Sequence, residues 1–183
     1  MGRGPLAGPV VAAVIAFPPG AKRILGLRDS KVLTAARRER LSVLIRHRAA
    51  AIGIGAASPR LIDRFNIRVA TAIAMRRALA RATGNCNAPI AVLVDGLPFP
   101  ELRVEHEALV DGDALCYSVA AAGVVAKVVR DRLMSLLALR YPGYGWDSNM
   151  GYGTPEHLAA IDLAGATVHH RRSFMPVAQL KLF

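Results

Sequence analysis

Apolar and polar positions along this chain switch between short continuous apolar runs and a 3.6-residue rhythm. Val10–Phe17 is an unbroken apolar run rich in β-branched residues and bounded by prolines, which predicts a buried strand. Pro18-Pro19-Gly20 turns the chain. Thr34 then precedes a stretch in which Leu41, Leu44 and Ile45 recur at helical spacing, predicting a helix capped by Thr34 and running to about Arg48. Ala50–Ala57 reads as a second strand. Ser58-Pro59 joins an N-cap to a proline at the first helical position and opens a short helix. A longer helix follows Asn66, with Ile67, Ala70, Thr71, Ala74, Met75 and Ala78 along one face.

The second half continues the alternation. Gly84–Pro89 reads as a loop, Ile90–Val94 as a short buried strand ending at Asp95-Gly96, and Ala108–Val110 as another before Asp111-Gly112-Asp113. Ser118–Tyr141 is the longest helical stretch, apolar nearly all round from Val119 to Val129, as a core helix is. Pro142–Gly153 is a loop rich in glycine and aromatics. Thr154-Pro155 starts a last helix that Gly165 stops. Strands alternating with helices predict one α/β domain over residues 1–183, with about 165–183 as a C-terminal tail.

Composition narrows the partners. Of 24 basic residues 20 are arginine, against 13 acidic ones, for a net charge of +11. Residues 1–85 hold 16 basic and 3 acidic side chains, and residues 86–183 hold 8 and 10. A basic first half predicts a polyanion such as nucleic acid, the alternative being a solvated arginine-rich surface. The apolar runs are far shorter than the roughly 20 residues that span a bilayer, and no small-residue cleavage site follows the N-terminal run. Cys86 and Cys116 make no disulfide framework or zinc spacing, so the expected compartment is the cytoplasm.

Two carboxylates stand out among the thirteen. Asp95 ends an apolar strand, where α/β sheets place their sites. Asp131 closes the buried stretch of the long helix, one turn after Lys127. Each has a plain structural alternative: Asp95 capping the Gly96 turn, Asp131 pairing with Lys127 or a nearby arginine. Beside a basic face, such carboxylates suit Mg²⁺, which takes oxygen ligands and completes its shell with water and phosphate oxygens. Gly2-Arg3-Gly4 adds a backbone open to close approach and an arginine able to fork onto phosphate, or simply a flexible terminus. His169-His170 reads as part of a basic tail.

Read in order, these segments resemble ribonuclease HII, the bacterial type 2 ribonuclease H. The series runs Gly2-Arg3-Gly4-Pro5-Leu6-Ala7-Gly8-Pro9-Val10, Asp29-Ser30-Lys31, Ile54–Ser58, Asn66-Ile67 with Ala70-Thr71 and Ala74-Met75, and Val94-Asp95-Gly96. It continues through Gly112-Asp113, Ser118–Asp131, Tyr141–Gly145, Gly151–Thr154 and His170–Phe174. The resemblance implies a ribonuclease H-like fold, a mixed β-sheet flanked by helices with a C-terminal helical extension. It implies Mg²⁺- or Mn²⁺-dependent endonucleolytic cleavage of RNA in RNA–DNA hybrids and at single ribonucleotides in duplex DNA, by two metal ions, leaving 5′-phosphate and 3′-hydroxyl ends. Asp95 and Asp131 take the places of metal-binding, catalytic aspartates. Gly2, Arg3 and Gly4 match the segment whose backbone senses the ribose 2′-hydroxyl. Lys31 falls in a matching substrate-binding segment, and Tyr152 matches the tyrosine that packs on the neighbouring deoxyribose. A monomer is expected. Gln179–Phe183 faintly resembles a sliding-clamp-binding peptide, against an ordinary frayed terminus.

The sequence also departs from the pattern. An Asp-Glu pair on the family's first strand lies just before the residue preceding Gly-Arg-Gly, whereas this sequence begins Met1-Gly2-Arg3-Gly4. The expectation is that Met1 stands for a GTG valine codon read as a start, with the pair encoded upstream. The alternative is a hybrid-binding fragment lacking two metal ligands. Asn149-Met150 replaces a usual His-Lys, Gly123 a usual Ser, and Asp111 a usual Lys, and the first and last remove positive charge near the expected substrate path.

Overall fold

The computed structural model describes residues 1–84 and 91–182. Cys86 and most of the expected 84–89 loop lie outside the described residues, as does Phe183 of the clamp-like peptide. Strands β1 (Val10–Ala16) and β2 (Ala51–Ala57) pair antiparallel, from Val10↔Ala57 to Ala16↔Ala51. Helix α2 (Pro59–Thr83) covers one face of this ladder, and Val10 packs there with Ile62, Ala70 and Ala74. Helices α1 (Ala35–Arg48) and α4 (Tyr117–Arg140) cover the other, where Ile15 meets Leu41, Ile45, Val124 and Val125. Burial on both faces is why β1 reads as a continuous apolar run rather than an alternating one.

The α2–β2 contact is backbone against backbone. A Cβ on Gly53 would lie 1.8 Å from the Ala78 carbonyl oxygen, so only glycine permits this approach. Inside α2, Asn66 adopts φ 67°, and its side-chain oxygen accepts the N–H groups of Arg68 and Val69 at 2.9 and 3.1 Å. The side chain re-caps the second segment, which reconciles the short and long helices expected here with one bent helix. Thr34, Ser58 and Thr154 cap α1, α2 and α6 (Pro155–Ala164) as expected, each oxygen accepting the N–H three residues on.

Strands β3 (Leu93–Asp95) and β4 (Glu107–Leu109) pair in parallel, and the one-turn helix α3 (Gly112–Leu115) follows. Both strand senses of the expected mixed sheet are therefore present. Among the described residues they form two separate pairs, with α4 packed against both. Met1 and Val11 exchange both backbone hydrogen bonds, at 2.7 and 3.0 Å, on the edge of β1 away from β2. No helix among the described residues is long and apolar enough to cross a membrane.

The expected tail from about residue 165 is a correction. Val177 is buried in a cluster with Leu6, Ala7, Met134, Trp146 and Ile161. His170 bridges Ala7, and the Arg171 N–H donates to the Leu6 carbonyl at 2.8 Å. This segment is a wall of the N-terminal loop. The glycine- and aromatic-rich loop also contains a one-turn helix, α5 (Trp146–Asn149), whose indole is fully buried.

Candidate active site

The C-terminal end of β3 carries Asp95, exposed to solvent, with Oδ1 accepting the Gly112 N–H at 3.0 Å. That bond draws α3 against the strand end and sets Asp113 beside Asp95. Burial, then the charges of Asp29 and Asp95, hold the Asp113 carboxyl above its ordinary range, with Lys31 opposing them. Asp29 itself caps the 3-10 turn Ser30–Val32, its Oδ1 accepting the Lys31 N–H at 3.0 Å. Asp29 and Asp95 thus both bear on Asp113, and no ion pair neutralises the three among the described residues, where no group of three or more His, Cys, Asp or Glu is placed to hold a metal ion. Carboxylates gathered in this way offer hard oxygen donors to a cation. Asp113 falls in one of the segments that carry the family resemblance but was not among the expected site residues, and its Asp-Gly-Asp setting gives no sign of the approach to Asp29.

Asp131 lies apart from this corner in its hydrogen bonds. Lys127 Nζ donates to its Oδ1 at 2.7 Å, and Arg38 Nη2 lies 3.5 Å from its Oδ2. Arg38 in turn donates to the carbonyls of Ser30 and Leu33. The carboxylate is compensated by two cations on the α1–α4 seam, and no contact joins it to Asp95 among the described residues. This is the plain pairing weighed at the outset. The structure brings Asp95 together with Asp113 and not with Asp131.

Gly2, Arg3 and Gly4 form a loop linked to this corner through Lys31, Gly2 buried and Arg3 and Gly4 exposed. Gly2 has φ +77°, and a Cβ there would lie 1.9 Å from Arg130 Nε, so the position demands glycine twice over. Two buried arginines that sequence reasoning missed hold the loop. Arg171 donates to the carbonyls of Gly2 (2.7 Å), Arg3 (2.8 Å) and Gly8 (2.9 and 3.1 Å). Arg130 donates to those of Ala7 (3.1 Å), Pro9 (3.1 Å) and Met150 (2.9 Å). Tyr152, half-exposed, stands with its ring 3.9 Å from where a Cβ on Gly4 would be. Lys31 acts on both regions: its charge lowers the pKa of Asp113 and that of the Met1 ammonium.

Beneath Tyr152 lies a network of neutral histidines. Trp146 Nε1–H donates to His157 Nε2 at 2.9 Å, so His157 carries its proton on Nδ1 and donates it to the Tyr152 carbonyl at 2.8 Å. The Thr167 N–H donates to His170 Nδ1 at 2.9 Å, leaving His170 Nε2–H to point at His157, 3.1 Å away. Burial, then the charges of His157 and His169, push His170 down to about 4. His170, expected in a basic tail, is instead an uncharged core residue, because a buried imidazole with an N–H aimed at it has no room for a second proton, while His169 is half-buried.

Known proteins resemble this chain in sequence and in fold. The family model described as ribonuclease HII matches residues 1–177. The ribonuclease HII of Acidovorax sp. (strain JS42) is 53% identical over 178 residues, spanning 97% of this chain and 83% of the relative. The ribonuclease H2 crystal structure from Pyrococcus horikoshii OT3 superposes with TM-score 0.79 at 22% identity, covering 100% of this chain and 94% of that one. Bst-RNase HIII in complex with Mn²⁺ gives TM-score 0.74 at 20% identity, covering 100% of this chain and 67% of that one. Together with the strand-end carboxylates and the glycine loop beside them, these matches establish that the chain belongs to the ribonuclease HII family of endoribonucleases.

Proposed function

We propose that this chain hydrolyses the RNA strand of RNA–DNA hybrids, and single ribonucleotides within duplex DNA, leaving 5′-phosphate and 3′-hydroxyl ends. The observation that carries the reading is the pair Asp95 and Asp113, held in no ion pair among the described residues, with the Gly2–Gly4 loop and Tyr152 linked to it through Lys31. Hard oxygen donors without a bound counter-charge fit Mg²⁺ or Mn²⁺, and a fold relative, Bst-RNase HIII, was solved with Mn²⁺. Asp95 and Asp113 would hold such an ion, which when bound supplies charge stabilisation at the scissile phosphate and acidifies an attacking water. Two carboxylates suffice for one ion whose shell water and substrate complete. Asp131, the other expected ligand, serves this reading as a tether between α1 and α4.

The remaining steps belong to the chain's own groups. The basic N-terminal half attracts the duplex. Lys31, exposed beside the corner, offers its ammonium to a phosphate oxygen. The N–H groups of Gly2, Arg3 and Gly4 donate to no protein oxygen among the described residues and are open to a 2′-hydroxyl. Tyr152 presents its ring to the adjoining sugar, and only the 2′-hydroxyl separates RNA from DNA there.

The test is cleavage of a DNA duplex with one ribonucleotide, in Mg²⁺ and Mn²⁺, with product ends mapped. It is run on the chain as printed and on a chain extended by its in-frame upstream codons. The expected result is a single cut 5′ to the ribonucleotide-linked phosphate by the extended chain. A folded extended chain that binds this duplex without cutting it would instead establish the hybrid-binding alternative.

A further inference from the structure

Arg130 and Arg171 are 1% and 0% exposed. Neither makes an ion pair among the described residues. A buried guanidinium without a carboxylate is uncommon, because desolvation costs several kcal/mol unless its donors are satisfied. Burial is the first cause that lowers the pKa of both, and in Arg171 the charge of Arg130 adds to it. Their donors go instead to six backbone carbonyls of two loops: Gly2, Arg3, Gly8, Ala7 and Pro9 in one, Met150 in the other. Nothing in a hydrophobic core requires two like charges here. What they do is turn the carbonyls of residues 2 and 3 inward while the N–H groups of residues 2–4 keep no protein partner. Arg130 also spans the gap between the loops, since Met150 lies two residues before Tyr152.

We infer that Arg130 and Arg171 are positioning residues for ribose discrimination: they act through the backbone, fixing the Gly2–Gly4 N–H groups and Tyr152 at one spacing. The inference rests on the ribose-reading role proposed for those segments. Lysine keeps the charge but is a point donor without the planar fork, so it cannot hold several carbonyls in fixed directions. A merely structural role predicts lower stability from Arg→Lys with the ratio of affinities unchanged. A positioning role predicts loss of the ratio itself.

The experiment measures, in EDTA at fixed salt, the affinity of the full chain for a duplex with one ribonucleotide and for the all-DNA duplex. Arg171→Lys and Arg130→Lys are compared with Arg172→Lys, an exposed neighbour, as control. The expected result is at least about a tenfold fall in the ratio for both buried variants, from weaker ribonucleotide binding, with all-DNA affinity within about twofold and the control unchanged. Folded variants that keep the unaltered chain's ratio overturn the inference. An unaltered chain that does not discriminate overturns the ribose-reading role instead. Should a lysine variant melt below the assay temperature, hydrogen exchange on the unaltered chain decides. The Leu6, Ala7 and Gly8 amides, bonded to Gly151 and His169, must then exchange as slowly as those of α4. Exchange as fast as that of exposed loop amides overturns the inference.

Discussion

The acidic corner and the glycine loop lie side by side and solve opposite problems. At the corner, Asp95, Asp113 and Asp29 gather negative charge with only Lys31 near to offset it. In the loop, the two buried arginines spend their donors on carbonyls, and Asn149 and the histidines tie down the segment leading to Tyr152. One region is left electrostatically incomplete, as a site awaiting a cation must be. The other has its arginine donors and the carbonyls of Gly2, Arg3, Ala7, Gly8 and Pro9 satisfied while the N–H groups of residues 2–4 stay open, as a reading surface must be. Incompleteness marks where chemistry occurs and satisfaction marks what aims it.

The contrast breaks most visibly at the corner. Asp95→Asn removes a ligand charge, and turnover of a ribonucleotide-containing duplex is expected to fall by about three orders of magnitude or more. Salt-sensitive binding of the same duplex should stay near the unaltered level, since the basic half is untouched. Rates close to the unaltered ones would remove Asp95 from the metal role.

In the loop the larger effect is on stability. Arg171→Met leaves the carbonyls of Gly2, Arg3 and Gly8 without their donors, and chemical denaturation should register a loss of about 3–5 kcal/mol. A change under 1 kcal/mol would mean water replaces the guanidinium freely.

The histidine network adds a pH signature. His170 is held near 4 in the folded chain against 6.5 ordinarily, so the folded state binds fewer protons between those values. Stability from this residue is full above about pH 6.5 and is lost as pH falls toward 4, by about 2–4 kcal/mol in all. His157, lowered mainly by burial, acts in the same direction. Thermal melting followed from pH 7 to 4.5 should fall steeply, and His170→Phe should flatten that dependence.

The smallest effect belongs to Asp131. Its side chain is 18% exposed and paired with Lys127 and Arg38, so Asp131→Asn should cost about 1 kcal/mol of stability or less, read by denaturant midpoint.

Local patterns made much of the fold legible. The caps at Thr34, Ser58 and Thr154 and the apolar run of β1 are short-range signals, and each formed where the sequence placed it. The ordered motifs identified the family and put Asp95 on a strand end. What stayed hidden depends on contacts between distant segments. Arg171 sits in the string His169-His170-Arg171-Arg172, which has the composition of a solvated tail; its burial is decided by carbonyls more than 160 positions earlier. Asp113 looks like any turn aspartate until the chain brings Asp29 up to it. Asp131 drew attention for closing an apolar helix, yet the same helix supplies Lys127 one turn back to neutralise it.

The claim that Asp113, and not Asp131, completes the reactive corner with Asp95 is tested most directly by one paired rate measurement. Single-turnover cleavage of the one-ribonucleotide duplex, in saturating Mg²⁺, is compared for Asp113→Asn and Asp131→Asn in the upstream-extended chain. Cleavage slowed at least about a hundredfold in the first and less than about threefold in the second is the expected pair of results. The reverse order, with Asp131→Asn inactive and Asp113→Asn near full rate, contradicts the account.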